Sequence, residues 1–259
     1  MATPAELAKK EYDILAKSYN RYSQTPAGII ESQLIAKALG DLTGLHVLDL
    51  AGGSGTHARE ALSYGAASVD IVDISPSMLA VAASLSPPSV LRTFETDASL
   101  PLTHLPLRKE GYDVVMANWL LSFVDSLSML EGIFTNISTY LKPGGIFVSI
   151  RDNDPFSPNL LSGKTGCEAV WSKPLPEGKP KGAQYFVRMH VEGPPIEFMV
   201  YTLETIYSGS TEWYEKAGLV DYQTIPYDEA ATVKEDPEFW KDFLERPWLA
   251  VVRAVKRKD

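Results

Sequence analysis

The chain has 259 residues, 45% of them hydrophobic and 22% charged, which is enough to bury the core of a globular α/β domain. Its formal net charge of −9 argues against a nucleic-acid partner, because phosphate backbones are bound by basic surfaces. The single cysteine, Cys167, excludes an intramolecular disulfide. No apolar run approaches the roughly 18 to 20 residues of a membrane span, and the N-terminus does not resemble a secretory signal. We therefore expect a cytoplasmic protein with no membrane partner.

The first forty residues are predicted to be helical. Leu7, Tyr12, Leu15 and Tyr19 recur at roughly helical spacing, and a second helix runs to Gly40. Short apolar runs then alternate with amphipathic segments, which is the pattern of parallel strands connected by helices. The predicted strands are 46–51, 68–74, 91–97, 112–119 and 145–151.

Residues 152–184 are rich in Pro, Gly, Ser and Lys and show little periodicity. Two interpretations of this segment stay open, a disordered linker and a cover over an active site. Two strands joined by a Gly-Pro-Pro turn follow, and a helix, a strand, a short helix and a last strand complete the chain. The predicted fold is a single α/β domain, a Rossmann-like three-layer sandwich with a seven-stranded, mostly parallel sheet. One antiparallel strand near the C-terminus and an N-terminal helical cover complete this prediction.

The strongest local signal is the sequence VLDLAGGSGT at residues 47–56, where an apolar strand enters a glycine-rich turn and then a helix. Such a turn lets a ligand approach the backbone and the free N–H groups of the helix N-terminus. The residues from Gly53 to Ala58 also fit the G-x-G-x-x-G/A pattern of dinucleotide binders. A nicotinamide dehydrogenase is therefore one alternative.

Three acids at strand ends argue for another ligand. Asp49 ends the first strand four residues before Gly53, where a carboxylate repels a pyrophosphate but suits an ammonium group. Asp73 and Asp97 end the next two strands and should face the same crevice. Asp73 is placed to accept both hydroxyls of a ribose, and Asp97 to accept from the exocyclic amine of an adenine. A ligand with an amine, a ribose and an adenine but no phosphate matches S-adenosylmethionine.

The segments VLDLAGGSG, VDISPSML, TDAS, YDVVMANWLL and LKPGGIFV resemble, in order and spacing, the successive motifs of class I S-adenosylmethionine-dependent methyltransferases. Ala51 departs from the family pattern, which usually has glycine there. The resemblance implies that the loop holds the methionine part, Asp73 and Ile74 the ribose and one adenine face, and Asn118 the methionine end. The implied cofactor-binding residues are Asp49, Ala51, Gly52, Gly53, Gly55, Thr56, Asp73, Ile74, Met78, Asp97, Ala98, Asn118 and Trp119.

Further segments are similar to toxoflavin-type N-methyltransferases, which methylate ring nitrogens of a small heterocycle. These are Tyr12-Asp13, the segment 118–121, DPEFW at 236–240 and ERPWL at 245–249. The resemblance implies that Tyr12 and Tyr19 also bind the cofactor by closing over its methionine end. Alternatively, these tyrosines form only an aromatic core stripe on the first helix.

Methyl transfer is an in-line displacement that needs alignment and a dry pocket, so a dedicated base can be absent and no catalytic residue is assigned. Aromatic side chains suit a flat acceptor and the sulfonium charge, which makes Tyr22, Trp119 and Phe123 candidate substrate-binding residues. Arg188 and His190 share one face of a predicted strand, so either could aid the substrate or its proton. A surface or core position is the alternative for both.

Asp152-Asn153 follows the fifth predicted strand, where catechol-type O-methyltransferases place ligands to magnesium. Those enzymes also use an acid where this chain has Asn118, and the remaining side chains make a poor site for a hard cation, so no metal is predicted. The predicted function is S-adenosylmethionine-dependent methyl transfer to a nitrogen or oxygen of a small planar molecule. The alternatives are a magnesium-dependent O-methyltransferase and a non-catalytic methyltransferase-like partner protein.

On this prediction the domain has four parts. Residues 1–44 form the helical cover and 45–151 the cofactor-binding half. Residues 152–202 form the substrate cover and its hairpin, and 203–259 the C-terminal end of the sheet.

Overall fold

The structure, a computed structural model, describes residues 4–258, with side chains from residue 6 onward. Its strands are β1 (His46–Leu50), β2 (Ser68–Asp73), β3 (Leu91–Glu95), β4 (Tyr112–Met116), β5 (Leu141–Asp152), β6 (Cys167–Pro174), β7 (Gly182–Met189), β8 (Ile196–Leu203), β9 (Leu219–Thr224) and β10 (Leu249–Lys256). Its α-helices are α1 (Pro4–Tyr19), α2 (Pro26–Leu39), α3 (Thr56–Ser63), α4 (Pro76–Leu85), α5 (Leu127–Tyr140), α6 (Pro158–Ser162), α7 (Glu204–Tyr207), α8 (Glu212–Lys216), α9 (Ala231–Glu235) and α10 (Pro237–Glu245). Short 3-10 turns occupy Asn20–Gln24, Leu120–Ser122 and Tyr227–Glu229.

A seven-stranded sheet crosses the molecule in the order β3-β2-β1-β4-β5-β10-β9. The strands from β3 to β5 are parallel, whereas β10 runs antiparallel to both β5 and β9. This arrangement confirms the predicted Rossmann-like sheet with one antiparallel strand. Because β1 lies between β2 and β4, its carboxyl end opens into the middle of the sheet edge.

The central sheet is buried on both faces because successive side chains of a strand point to opposite sides. Val47 of β1 joins one core with Ile30 of α2. Leu48, its neighbour, joins the other core with Leu130 of α5. Helices therefore cover both faces, as the alternation of strands and helices predicts.

Side-chain caps fix where two helices begin. Ser75 accepts a hydrogen bond from the N–H of Met78 at 3.2 Å, and Pro76 occupies the first turn of α4. Thr25 accepts from the N–H of Gly28 at 3.1 Å and starts α2 in the same way. The cap at Ser75 places the N-terminus of α4 directly after the carboxyl end of β2.

Residues 152–184 are not a disordered linker, because they contain α6, β6 and the first residues of β7. A second sheet of three antiparallel strands has the order β6-β7-β8, and its β7 and β8 are the predicted hairpin. In β6, Cys167 and Ala169 alternate with more exposed residues, a pattern too short to stand out among Pro, Gly and Lys. No helix within residues 4–258 has the length and apolar character that crossing a bilayer requires.

An ion pair with a buried carboxylate and a half-exposed guanidinium ties β2 to β3. Asp70 is 1% exposed and accepts from Arg92 Nε at 2.7 Å, from Arg92 Nη2 at 2.5 Å and from the Tyr112 hydroxyl. The side chain of Asp113 is 24% exposed and pairs with Lys142 at 2.7 Å. The Arg92 contact is bidentate and the Lys142 contact is single, and the two pairs bury their carboxylates to different extents.

We expect Arg92→Ala to lower the free energy of unfolding by about 1–3 kcal/mol, because it leaves a buried carboxylate without its counter-charge. Lys142→Ala is the matched control and should cost less than about 1 kcal/mol, since water can solvate Asp113. Urea denaturation of both variants checks this. Equal losses would contradict the view that burial of the carboxylate sets the difference.

Candidate active site

A cleft opens at the carboxyl edge of the central sheet and encloses about 1260 Å³ of space, including its mouth. Loops after β1, β2, β3 and β4 form one side, and the N-terminal helices form the other. All the residues predicted to bind the cofactor, except Gly55, line this cleft. They are Tyr12, Tyr19, Asp49, Ala51, Gly52, Gly53, Thr56, Asp73, Ile74, Met78, Asp97, Ala98, Asn118 and Trp119.

The glycine-rich loop follows β1 and turns sharply into α3. Gly55 precedes α3 with φ +76°, so it shapes the turn instead of lining the cleft. Ala51 has φ +58°, a left-handed conformation that glycine adopts more easily, which accounts for glycine being usual at this position. A Cβ atom on Gly52 would lie 2.5 Å from Asp49 Oδ2 and 2.9 Å from Ile71 Cγ2. The absence of a side chain at Gly52 therefore leaves room for the Asp49 carboxylate.

Asp49 is 1% exposed, and neither of its carboxylate oxygens has a hydrogen-bond partner among the described residues. Burial raises its pKa to about 7, with smaller effects from His57, Asp73 and Glu60. An unpaired carboxylate in this position is costly unless a ligand supplies a donor. The site therefore fits a group that carries a cationic N–H donor.

Asp73 and Asp97 already accept backbone hydrogen bonds. Asp73 accepts from the N–H groups of Gly53 and Ser75, each at 2.8 Å, and burial raises its pKa to about 6. Asp97 accepts from the N–H of Ser99 at 2.8 Å. Each carboxylate has about four acceptor positions, so both also keep capacity for a ligand hydroxyl or amine. Both acids thus shape their loops while lining the cleft.

Helix α1 and the turn after it close one side of the cleft. Asp13 Oδ1 accepts from Ser75 Oγ at 2.6 Å and from the N–H of Ser77 at 3.2 Å, which holds α1 against the start of α4. Asn20 Oδ1 accepts from Ser54 Oγ at 2.5 Å and from Thr56 Oγ1 at 3.1 Å. Sequence patterns did not indicate Asn20, because only the folded chain brings it to the glycine loop.

A second, smaller cavity of about 370 Å³ adjoins the cleft. The two cavities share an aromatic wall, which consists of Tyr12, Tyr19, Tyr22, Trp119 and Phe123. The remaining lining comes mainly from one face of the three-stranded sheet. It consists of Ser122, Cys167, Tyr185, Val187, Met189, Phe198, Val200 and Trp248. The predicted substrate residues Tyr22, Trp119 and Phe123 therefore lie between the two spaces.

Trp119 joins this wall to a buried acid. Its backbone has φ +62°, its ring stacks on Trp248 at 5.8 Å between centroids, and its Nε1 donates to Glu31 Oε2 at 3.1 Å. The Tyr22 hydroxyl donates to Glu31 Oε1. Glu31 is 2% exposed, and burial raises its pKa to about 7 although both hydrogen bonds favour the ionised form. No sequence pattern indicates Glu31, since a glutamate in a helix ordinarily faces water.

The structure does not bring Arg188 or His190 to either cavity. Tyr185, Val187 and Met189 of β7 line the second cavity, and alternation along the strand turns Arg188 to the opposite face. There Arg188 Nε pairs with Glu197 at 2.7 Å, and His190 Nε2 lies 2.8 Å from Glu168 Oε2. The two residues do share a face, as predicted, but it is the outer face of this sheet.

The residues considered for magnesium have other partners. Asp152 is fully buried and accepts from the Tyr185 hydroxyl, and Asn153 Nδ2 donates to the carbonyl of Pro247 at 2.8 Å. Asp154 forms an ion pair with Arg246 at 2.5 Å. Within the described part of the chain, no three His, Cys, Asp or Glu side chains are grouped as metal ligands.

Comparison with known proteins agrees with this geometry. A family model described as a methyltransferase domain matches residues 48–149, the segment that carries the glycine loop and the three acids. Comparison with curated proteins found no match. The match indicates a methyltransferase domain over residues 48–149 and supports an enzyme whose cofactor is S-adenosylmethionine.

Several solved structures share the fold. An S-adenosylmethionine-dependent methyltransferase from Mesorhizobium loti has a TM-score of 0.60 at 18% identity, covering 89% of this chain and 100% of that one. Phosphoethanolamine N-methyltransferase 2 from Haemonchus contortus, in complex with phosphomonomethylethanolamine and S-adenosylhomocysteine, has a TM-score of 0.60 at 18% identity, covering 99% of this chain and 61% of that one. The glycopeptide N-methyltransferase MtfA, in complex with S-adenosylmethionine, has a TM-score of 0.54 at 16% identity, covering 88% of this chain and 94% of that one.

We expect Gly52→Ala to lower the free energy of unfolding by about 1–3 kcal/mol, because the added methyl group overlaps the Asp49 carboxylate and Ile71. Ala51→Gly is the matched control in the same loop. It should leave stability unchanged or raise it by up to about 1 kcal/mol, since glycine adopts a positive φ without steric cost. Urea denaturation distinguishes the two, and a neutral Gly52→Ala would contradict the close packing described for this loop.

Proposed function

We propose that the enzyme transfers the methyl group of S-adenosylmethionine to a nitrogen or oxygen of a small planar molecule bound in the second cavity. The observation that carries this proposal is the aromatic wall between that cavity and the cleft. Aromatic faces suit a flat acceptor and also stabilise the sulfonium charge. The largely apolar lining of the second cavity favours a dry point of transfer.

We infer that each of the three acids binds a different part of the cofactor. The unpaired Asp49 accepts from its ammonium group, Asp73 from the ribose hydroxyls and Asp97 from the adenine amine. Ile74, Met78 and Ala98 supply apolar contacts around the adenine. Asn118 and the loop residues Ala51, Gly52, Gly53 and Thr56 lie along the methionine part. This assignment places the sulfonium next to the aromatic wall.

We further infer that two segments cover the acceptor. Residues 1–44 contribute Tyr12, Tyr19 and Tyr22 to the wall, and 152–202 contribute the three-stranded sheet that closes the second cavity. Residues 45–151 are then the cofactor-binding half and 203–259 the C-terminal end of the sheet. A cytoplasmic location remains our expectation from the single cysteine, which is buried.

The charges of the residues that line the two cavities indicate which chemical class of methyl acceptor can bind. Neither lining includes a Lys or Arg side chain among the described residues. The Haemonchus contortus enzyme is bound to a phosphorylated amine, and a phosphate would find no strong counter-charge in these cavities. A neutral heterocycle fits better, which agrees with the resemblance to toxoflavin-type N-methyltransferases.

Calorimetry and a transfer assay test the proposal together. We expect S-adenosylhomocysteine to bind and NAD not to bind. With S-adenosylmethionine carrying a labelled methyl group, we expect transfer to members of a panel of planar nitrogen heterocycles and phenols, undiminished by EDTA. Absence of binding at millimolar cofactor would refute the cofactor site. Transfer only to phosphorylated amines, or loss of transfer in EDTA, would refute the acceptor class or the metal-independent mechanism.

The raised pKa of Asp49 predicts a pH-dependent affinity for S-adenosylhomocysteine. The ammonium group selects the carboxylate form, so affinity should rise with pH and level off above the pKa of about 7. Between pH 6.5 and 8.5, above the pKa of Asp73, the rise should be about fourfold. Calorimetry across this range measures it.

Asp49→Asn should bind the cofactor more weakly and without this pH dependence. Asp242→Asn is the matched control, because Asp242 lies on α10 and its side chain is 64% exposed. It should behave as the wild type. A pH-independent affinity in the wild type would contradict the role given to Asp49.

A further inference from the structure

Three buried carboxyl groups line the cleft, Asp73 and two others that differ in their side-chain partners, Asp49 and Glu31. The oxygens of Asp49 are unpaired, whereas each oxygen of Glu31 accepts a hydrogen bond, one from the Tyr22 hydroxyl and one from Trp119 Nε1. Tyr22 and Trp119 belong to the aromatic wall that faces the second cavity. Glu31 is thus connected to the acceptor side of the site, while Asp49 is free to receive the cofactor.

We propose that the Tyr22–Glu31 pair accepts the proton that the methyl acceptor loses, so that the acceptor is a molecule with an ionisable N–H or O–H group. The inference rests on the proposed function and deepens it. Tyr22 lines both cavities, and its hydroxyl already donates to Glu31. A proton from the acceptor therefore has a continuous route to a carboxylate through one side chain.

The groups around Glu31 make its carboxylate suitable for accepting a proton. The groups that face it are Tyr19 of α1, Tyr22 of the following turn, His57 and Glu60 of α3, Trp119 after β4 and Cys167 of β6. Burial raises its pKa to about 7, and the two hydrogen bonds and His57 limit that rise. A group with this pKa is present in part as a carboxylate at neutral pH and gains a proton readily.

A lone pair of the acceptor nitrogen or oxygen forms the new bond to the methyl carbon, and the electrons of the breaking C–S bond return to sulfur. The acceptor's N–H or O–H proton passes to the Tyr22 oxygen while the Tyr22 proton passes to Glu31. The products are the methylated acceptor, S-adenosylhomocysteine and a neutral Glu31, which then releases its proton to solvent.

The first test uses cofactor affinity and needs no acceptor. Glu31→Gln should bind S-adenosylhomocysteine as the wild type does, whereas Asp49→Asn binds it more weakly. In protein labelled with ¹³C at the glutamate carboxyl carbons, the resonance that Glu31→Gln removes should titrate near pH 7, both with and without S-adenosylhomocysteine. A fall of this pKa to an ordinary value of about 4.3 on cofactor binding, or a weakened affinity of Glu31→Gln, would assign Glu31 to the cofactor and overturn the proposal.

The second test uses any panel member that the wild type methylates. Where the accepting atom carries a hydrogen, kcat should rise with pH through about 7, and Glu31→Gln and Tyr22→Phe should lower it by about 100-fold or more and remove this pH dependence. Glu31→Asp should restore part of the rate. Glu197→Gln, on the outer face of the three-stranded sheet, should match the wild type.

Acceptors whose nitrogen carries no hydrogen distinguish a proton-accepting role of Glu31 from a purely structural role in the aromatic wall. Glu31→Gln should methylate them at nearly the wild-type rate. An equal loss with both kinds of acceptor would mean that Glu31 only maintains the wall, and would overturn the proton role. A wild type that binds S-adenosylhomocysteine but methylates no panel member would refute the proposed acceptor class, while the carboxyl titration still decides on Glu31.

Discussion

The buried carboxylate of Asp49 is the constraint around which the site is arranged. It lies at the end of the central strand β1, and Gly52 must lack a side chain to leave it room. Its two oxygens have no partner among the described residues, so the fold carries a cost that a cationic ligand group can relieve. The positive φ of Ala51 and the glycines after it follow from the same need to turn the chain sharply around this group.

The N-terminal helices and the three-stranded sheet add the second cavity and its aromatic wall to the central fold. Asp13 and Asn20 attach the N-terminal segment to α4 and to the glycine loop, which places Tyr12, Tyr19 and Tyr22 beside Trp119. Two residues of the resulting aromatic wall, Tyr22 and Trp119, donate hydrogen bonds to Glu31. On the proposed function, the central sheet positions the methyl donor and the added segments define the space for the acceptor.

The parts that sequence predicted well depend on local pattern. The strands around the glycine loop, the cap at Ser75 and the placement of Asp49, Asp73 and Asp97 at one edge follow from apolar periodicity and parallel topology. The parts that it missed depend on tertiary contacts. Glu31 is linked to the aromatic wall through Tyr22 and Trp119, which lie far from it in sequence or in another element, and Arg188 lies on the predicted strand but on its outer face, because a period of two does not say which face is covered.

A crystal structure of the enzyme with S-adenosylhomocysteine tests this account most directly. We predict that the ammonium nitrogen lies within about 3.2 Å of an Asp49 oxygen and that the sulfur faces the wall of Tyr12, Trp119 and Phe123. The second cavity should then be open beside the sulfur. A ligand whose amino group binds elsewhere, with the Asp49 oxygens still unpaired, would contradict the account.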